Sequence, residues 1–345
     1  MKGESVYNVL DLFCGCGGMS NGFEQAGYNI LLGIDCWETA LKTFKKNHKN
    51  AHTLLADLAN FEPSSLELDK SVDVIIGGPP CQGFSLAGKR DINDPRNRLY
   101  QAFVKTVAHF KPKAFVLENV PNLVSMGGGI IKESILHDFE SLGYKVVYKV
   151  LTASDFGVPQ RRRRVFFVGL LEEDKIFTYP EANQKEVTTY EALSDLPECS
   201  LIDGAKYVVP PMSAYQADMR ANSTGVFNHQ TSMHSEKTKQ IIALVPDGGN
   251  YKDLPKELQG TRNVHIAWTR FNSAKPSNTI DTGHRHHFHY KYNRIPTVRE
   301  SARLQSFADS FEFLGSKTDQ YKQVGNAVPP KLAKSVAVQL KAALS

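Results

Sequence analysis

The chain has 345 residues, 41% of them hydrophobic, and its 41 Lys and Arg residues against 36 Asp and Glu residues give a net charge of +5. This size allows one large and one smaller domain. The five cysteines form no CxxC pair, which argues against a disulfide framework or a cysteine zinc site, and no apolar run approaches the about 18 residues of a membrane span.

The first part of the chain alternates between predicted strands and helices. Residues 6–13 read as a strand, and a glycine turn then opens a helix over 19–26. The next strand covers 28–35, a helix covers 37–48, and a short strand covers 53–57. This alternation predicts an α/β fold with a doubly wound, mostly parallel sheet.

The glycine turn lacks the third glycine of a dinucleotide fingerprint, which disfavours nicotinamide binding. Asp35 and Asp57 stand at the ends of the second and third strands. A tight turn beside carboxylates that can accept hydrogen bonds from ribose is the layout of an adenosyl-ligand site. Taken singly, each acid is equally compatible with a helix N-cap or a solvated turn.

Cys81 is the candidate nucleophile of the chain. A buried strand over residues 72–76 runs into the segment GGPPCQGFS, and two prolines fix the backbone before the thiol. Chemistry in open parallel sheets lies at the carboxyl ends of strands. The alternative is an inert buried cysteine. The polar segment over 86–98 is expected to form a lid whose Lys89 and Arg90 meet phosphates, unless its charges only face solvent.

Glu118 lies at the carboxyl end of another predicted buried strand, over residues 114–120. Burial penalises the ionised form of a carboxyl group, so Glu118 is a candidate proton donor near neutral pH. An ion pair between Glu118 and one of the downstream arginines is the alternative, and a functional pair would give the same sequence pattern.

Four consecutive arginines run into a strand over residues 165–169. Alternate strand residues share a face, so Arg162 and Arg164 point one way, and Arg161 and Arg163 point the other. One pair can therefore face a site while the other meets backbone or phosphate. Such runs are often only surface patches, but this one adjoins a Phe-Phe-Val strand.

The remaining chain predicts a second, mostly irregular domain over residues 176–317, which follows a first domain over residues 1–175. The histidine-rich run over 283–290 lacks carboxylate or cysteine partners at ligand spacing, so a polar contact surface is favoured over a zinc site. Gly325 and Asn326 are predicted to form a turn ahead of a terminal helix.

Taken together, the motifs resemble those of DNA (cytosine-5)-methyltransferases of the bacterial modification type. The resemblance covers nearly the whole chain. The pieces occur in the family's order, and they are residues 11–18 (DLFCGCGG), Asp35, Asp57, residues 79–85 (PPCQGFS), 118–120 (ENV), 160–164 (QRRRR), 299–307 (RESARLQSF) and 325–329 (GNAVP).

The resemblance implies an activity and four catalytic residues. A methyl group would pass from S-adenosylmethionine to C5 of a cytosine flipped out of a specific short double-stranded DNA sequence. Cys81 would bond to C6, Glu118 would hydrogen-bond or protonate N3, and Arg164 would contact O2. Arg162 would help to place the substrate and favour the thiolate. No metal is expected.

The resemblance also implies a cofactor site and a DNA surface. It implies that residues 176–317 recognise the DNA target and that residues 318–345 return to complete the first domain. Phe13 would lie against the adenosyl group, the glycine turn beside the methionine part, Asp35 at the ribose, and Asp57 with Leu58 at the adenine. Family members often carry an aromatic or acidic residue where this chain has Cys36, so Trp37 would take that packing role. The remaining implied contacts are Gly15, Gly17, Gly18, Pro79, Asn326 and Val328 for the cofactor, and Ser85, Lys89, Arg90, Arg161 and Arg163 for DNA.

Two other functions fit the sequence less well than DNA methylation. Transfer RNA methyltransferases of this type usually carry a Cys-Phe-Thr triplet that is absent here. Inactive binding relatives typically lose the nucleophile or the glutamate, and this chain keeps both. We therefore expect a monomeric, cytoplasmic bacterial enzyme associated with the nucleoid through DNA, and compatible with a cognate restriction endonuclease acting on the same site.

Overall fold

The computed structural model describes residues 6–80, 98–182, 185–259, 268–282 and 286–345. The chain forms two compact units. The first comprises Met1–Thr152, Arg163–Ala182 and Leu332–Ser345, and the second comprises Ala153–Arg162 and Asn183–Lys331. The predicted domain boundaries at residues 175 and 317 differ from these units, because both Ala153–Arg162 and the residues from 318 to Lys331 belong to the second unit.

The regular elements of the described chain are listed here with the labels used below. The strands are β1 (Asn8–Leu12), β2 (Asn29–Asp35), β3 (His52–Leu55), β4 (Val74–Gly77), β5 (Ala114–Asn119), β6 (Lys145–Thr152), β7 (Arg163–Leu170), β8 (Thr269–Arg270) and β9 (His287–Phe288). The α-helices are α1 (Gly18–Gln25), α2 (Glu38–Asn47), α3 (Arg98–Phe110), α4 (Ile130–Glu140), α5 (Thr189–Leu193), α6 (Ala214–Arg220), α7 (Glu236–Ala243), α8 (Lys256–Gln259), α9 (Val298–Leu304), α10 (Lys317–Asn326) and α11 (Pro330–Leu344).

Strands β1 to β7 form one sheet in the order β3-β2-β1-β4-β5-β7-β6. The first five strands in this order are parallel, while β7 runs antiparallel to both β5 and β6. This confirms the predicted doubly wound, mostly parallel α/β fold. Because β1 to β5 are parallel, their carboxyl ends meet at one edge of the sheet, where such folds bind ligands.

Helices cover both faces of this sheet. On one face, Phe103 of α3 and Phe139 of α4 pack on Phe115 of β5, and the rings of Phe115 and Phe139 stack with centroids 4.0 Å apart. On the other face, the hydroxyl of Tyr28 donates a hydrogen bond to the carbonyl of Ala337 in α11. The C-terminal helix is thus part of the first unit.

The second unit has its own apolar core and short helices, with β8 and β9 as a parallel pair. The fully buried Arg303 of α9 bonds to the carboxylates of Asp195 and Asp309. Removing one partner of such a buried group is costly, since the other charge is then left unpaired. The pairing of Arg303 with two acids therefore anchors α9 within its unit.

The prediction of a turn at Gly325 and Asn326 is wrong, because both residues belong to the last turn of α10. Ser316 and Asp319 form a capping box that begins this helix, and the helix ends where Ala327 becomes extended. A side chain at Gly325 would meet the backbone of Asp281, with a Cβ only 2.3 Å from its carbonyl oxygen. The glycine is needed for this close approach rather than for a turn.

Candidate active site

The turn between β1 and α1 is held in a conformation that favours glycine. Gly15 and Gly17 have φ values of +53° and +93°, and Phe13 also lies in the left-handed region with φ of +58°. A Cβ at Gly17 would lie 2.1 Å from Nε2 of His48, whereas a Cβ at Gly15 would have no atom within 4 Å. The turn is thus tightly packed at Gly17 and open beside Gly15.

Asp35 ties this turn to the end of β2. Its Oδ2 accepts a 2.8 Å hydrogen bond from the backbone N–H of Gly15, and its Oδ1 accepts one of 2.8 Å from the N–H of Trp37. An ionised carboxylate offers about four acceptor positions, so these two bonds leave capacity for a ligand. The carboxylate is therefore fixed beside the open side of the turn.

Asp57, which follows β3, is the N-cap of the short 3-10 helix Leu58–Asn60, one of the roles that the sequence allowed for it. Its carboxylate accepts from the N–H of Ala59 at 3.0 Å and from the side-chain amide of Asn60 at 2.8 Å, while Leu58 is buried. Because β3, β2 and β1 are adjacent parallel strands, Asp57, Asp35 and Phe13 follow one another along the same edge of the sheet.

A buried acid below the glycine turn was not predicted from the sequence. Asp11 is 1% exposed, accepts a 2.6 Å hydrogen bond from the hydroxyl of Ser20, and has its pKa raised to about 8 by burial. Burial also raises the pKa of Cys16 to about 12 and that of Cys14 well above its usual range. These two thiols stay protonated near neutral pH. The signal available in the sequence was an acid in the middle of an apolar strand.

Glu118 and Arg164 form an ion pair between neighbouring strands. Nε of Arg164 lies 2.8 Å from Oε1 of Glu118, and both side chains are largely buried. The pair joins β5 to β7, which are antiparallel neighbours. A Cβ at Gly78, just after β4, would lie 2.9 Å from Oε2 of Glu118. The carboxylate is thus held by the guanidinium on one side and packed closely against a glycine on the other.

Asn119 connects the end of β5 to the segment that precedes Cys81. Its side-chain amide donates a 2.8 Å hydrogen bond to the carbonyl of Pro79, and its Oδ1 accepts one from the N–H of Val120. Pro79 is therefore fixed relative to the strand that carries Glu118. Cys81, Ser85, Lys89 and Arg90 lie outside the described residues.

Burial alternates along the arginine run, although only Arg163 and Arg164 belong to β7. Arg161 and Arg163 are exposed, Arg162 is 1% exposed, and Arg164 is largely buried. Arg161 pairs with Glu186 at 3.3 Å, and Arg162 donates a 2.9 Å hydrogen bond to the carbonyl of Gly325. The latter contact places Arg162 beside Gly325, the residue immediately before Asn326.

The structure groups the predicted residues by unit. The first unit contains Phe13, Gly15, Gly17, Gly18, Asp35, Asp57, Leu58, Pro79, Glu118, Arg163 and Arg164, and the second contains Arg161, Arg162, Asn326 and Val328. Within the described residues, no group of three or more His, Cys, Asp or Glu side chains could hold a metal ion. No helix in the described ranges is long and apolar enough to cross a membrane.

The comparisons with known proteins all identify DNA methyltransferases. A family profile described as C-5 cytosine-specific DNA methylase matches residues 7–342. The type II methyltransferase M.DdeI of Desulfomicrobium norvegicum is 40% identical over 96% of this chain and 88% of its own length. M1.HphI of Haemophilus parahaemolyticus, also a type II methyltransferase, is 39% identical over 95% of this chain and 85% of its own.

A solved structure with the same fold supports this relationship. It is described as that of a candidate DNA modification methyltransferase encoded within a prophage (E. coli), and it matches with a TM-score of 0.78 and 26% identity. The match covers 98% of this chain and 99% of the other. With its Rossmann-like methyltransferase fold, the chain belongs to the C-5 cytosine-specific DNA methylase family and is a DNA (cytosine-5)-methyltransferase of the type II restriction-modification kind.

Proposed function

We propose that the enzyme transfers a methyl group from S-adenosylmethionine to C5 of a cytosine flipped out of a short, specific double-stranded DNA sequence, through a covalent bond between Cys81 and C6. The observation that carries this proposal is the Glu118–Arg164 pair at the end of β5, beside the strand that leads to Cys81. Asn119 supports it by fixing Pro79 to the same strand.

The chemistry explains why a thiol, an acid and a cation are needed together. C5 of cytosine is too weak a nucleophile to attack a methyl sulfonium directly. When the Cys81 thiolate adds to C6, the C5–C6 double bond is lost and electron density passes to C5 and N3. C5 would then bond to the methyl carbon as the bond between that carbon and the sulfonium sulfur breaks, which leaves S-adenosylhomocysteine as the second product. Transfer of the C5 proton to water or a side-chain base, and elimination of Cys81, would restore the aromatic ring and the free thiolate.

Glu118 and Arg164 would stabilise the charge that this addition creates. Glu118 hydrogen-bonds or protonates N3, and Arg164 contacts O2. Their mutual ion pair keeps both groups oriented before the base arrives, which removes part of the cost of ordering them. Arg162 would place the substrate and favour the thiolate form of Cys81.

The residues around the β1–α1 turn fit an adenosyl cofactor. Space is open beside Gly15, and the carboxylate of Asp35 lies against the same turn with acceptor capacity remaining. We assign Phe13 to the adenosyl group, Asp35 to the ribose hydroxyls, and Asp57 with Leu58 to the adenine. Asn326 and Val328 are assigned to the same cofactor from the sequence motif. S-adenosylmethionine supplies an activated methyl group when it is bound.

DNA contacts follow from the need to reach a base inside a duplex. Flipping the cytosine costs a few kcal/mol of stacking and pairing, which contacts to the strand must offset. We assign this role to Ser85, Lys89, Arg90, Arg161 and Arg163, and target recognition to the second unit. A cognate endonuclease reading the same sequence and a monomeric state complete the proposal.

DNA containing 5-fluorocytosine tests the covalent step. Fluorine cannot leave C5 as a proton does, so the bond between Cys81 and C6 should persist after methyl transfer. A denaturing gel should show a stable protein–DNA adduct that requires S-adenosylmethionine and is absent for Cys81→Ala. An adduct that survives in the folded Cys81→Ala variant would contradict the assignment of the nucleophile.

A further inference from the structure

Two fully buried glutamines of the second unit form a continuous hydrogen-bond network. The side-chain amide of Gln160 donates to Oε1 of Gln305 at 2.8 Å and to the carbonyl of Leu304 at 3.1 Å, and its Oε1 accepts from the N–H of Ile280 at 2.9 Å. Gln305 donates in turn to the carbonyls of Val324 at 2.8 Å and Ala327 at 3.3 Å. Four separate stretches of chain, around residues 160, 280, 304–305 and 324–327, are joined in this way.

This network has only one arrangement that satisfies its members. The carbonyls of Val324 and Ala327 only accept, so the NH₂ group of Gln305 must face them and its oxygen must face Gln160. The NH₂ group of Gln160 then donates to Gln305, and its oxygen is left for the N–H of Ile280. Both N–H groups and the oxygen of each amide are hydrogen-bonded, and a buried network satisfied in this way rigidifies its surroundings, whereas a partly satisfied network is costly.

Residues 160–162 and residues 324–327 are also joined by a direct hydrogen bond. Arg162, two residues after Gln160, donates to the carbonyl of Gly325, which lies between Val324 and Ala327. The segment 160–162 is therefore attached to the segment 324–327 once through Arg162 and once through the glutamine pair. Two attachments fix the orientation of one segment on the other, which a single hydrogen bond does not.

We propose that Gln160 and Gln305 are positioning residues that hold Arg162 in register with the end of α10 and the residues that follow it. This inference rests on the proposed function, in which Arg162 serves the cytosine and Asn326 and Val328 face the cofactor. The glutamine pair then couples the two roles: a change at Gln160 alters cofactor binding, although its side chain touches neither Asn326 nor Val328 in the contacts described above.

The test compares Gln160→Met and Gln305→Met with a matched control, Gln323→Met. Gln323 is also buried, lies in α10, and donates a 2.9 Å hydrogen bond to the carbonyl of Leu314, away from the paired segments. Calorimetric binding of S-adenosylmethionine without DNA is measured for each folded variant. The dissociation constant should rise about tenfold for Gln160→Met and Gln305→Met and change less than about twofold for the control.

The melting temperature provides the second readout. All three variants lose a buried hydrogen bond and should melt earlier, so a purely structural role would lower stability without separating the control from the pair. Unchanged cofactor affinity in the folded Gln160→Met variant would overturn the proposal, and that variant decides the matter if Gln305→Met does not fold. Failure of the unmodified enzyme to bind S-adenosylmethionine would instead refute the proposed function.

Discussion

At the scale of single residues, Gly78 limits where the Glu118 carboxylate can lie. Oε1 of Glu118 is held by Arg164, so the side chain cannot move away easily from a methyl group placed 2.9 Å from Oε2. We expect Gly78→Ala to lower kcat about tenfold, equivalent to about 1.4 kcal/mol of transition-state stabilisation, because the carboxylate is displaced from its position toward N3. The rate of single-turnover methylation of a DNA duplex measures this loss of activity.

The control for this prediction is the same change in a Glu118→Gln background. If the methyl group acts through Glu118, Gly78→Ala should cost little more once the acid has been replaced. A full and additive loss in both backgrounds would show that Gly78 acts on something other than Glu118.

Asp11 gives the stability a pH dependence whose sign can be worked out. Its folded-state pKa of about 8 lies above the unfolded value of about 4, so the folded protein binds more protons between these values. The contribution of Asp11 to the free energy of unfolding therefore falls as the pH rises through this range. Asp11→Asn, which is neutral and similar in shape, should remove that fall.

Urea unfolding at pH 6, 7 and 8 checks the prediction for Asp11. The Asp11→Asn variant should gain stability relative to the unmodified protein as the pH rises, by up to about 1.4 kcal/mol per pH unit. Ser20→Ala keeps the carboxyl group and should keep the fall with pH. Parallel pH dependences for Asp11→Asn and the unmodified protein would contradict a raised pKa at Asp11.

The sequence predicted the residue types of the site better than their partners. Glu118 was expected either as a proton donor or as an arginine partner, and only the antiparallel pairing of β5 with β7 brings it to Arg164. The burial that raises the pKa of Asp11, and its hydrogen bond from Ser20 of α1, arise only in the folded chain. Such partners come from distant parts of the chain and leave no local pattern.

At the scale of elements, the close approach of α10 to the Asp281 backbone makes Gly325 sensitive to substitution. An added Cβ would lie 2.3 Å from the Asp281 carbonyl oxygen and 2.9 Å from Cα of Thr282, so backbone must move. We expect Gly325→Ala to lower the free energy of unfolding by about 1–3 kcal/mol. Denaturant unfolding measures the loss.

The matched position is Lys322, which is exposed on the same helix. Lys322→Ala should change the free energy of unfolding by less than about 0.5 kcal/mol. Equal stabilities for Gly325→Ala and Lys322→Ala would mean that the helix and the Asp281 segment can separate without cost.

Strands and their order of occurrence could be predicted because β-branched runs bounded by turns mark them locally. The end of α10 could not be predicted in this way, because glycine followed by asparagine is typical of a turn, whereas here both residues are helical and Gly325 lies close to the Asp281 backbone. The antiparallel direction of β7 could not be predicted either, since an alternating hydrophobic pattern does not show which way a strand runs.

At the scale of the whole molecule, the arginine run is divided between the two units. Residues up to Thr152 belong to the first unit and Ala153–Arg162 belong to the second. The first unit resumes at Arg163. Arg162 is therefore anchored to Gly325 within one unit, and Arg164 to Glu118 within the other. Four consecutive residues thus supply side chains to both units, which no compositional boundary in the sequence indicated.

The central claim is tested most directly by bisulfite sequencing of a plasmid propagated with this protein, beside the same plasmid propagated with Cys81→Ala. We predict protected cytosines in one short recurring sequence with the intact protein and none with the variant, which identifies the activity, the nucleophile and the target together. A soluble, folded protein that protects no cytosine, or a Cys81→Ala variant that protects the same sites, would contradict the account.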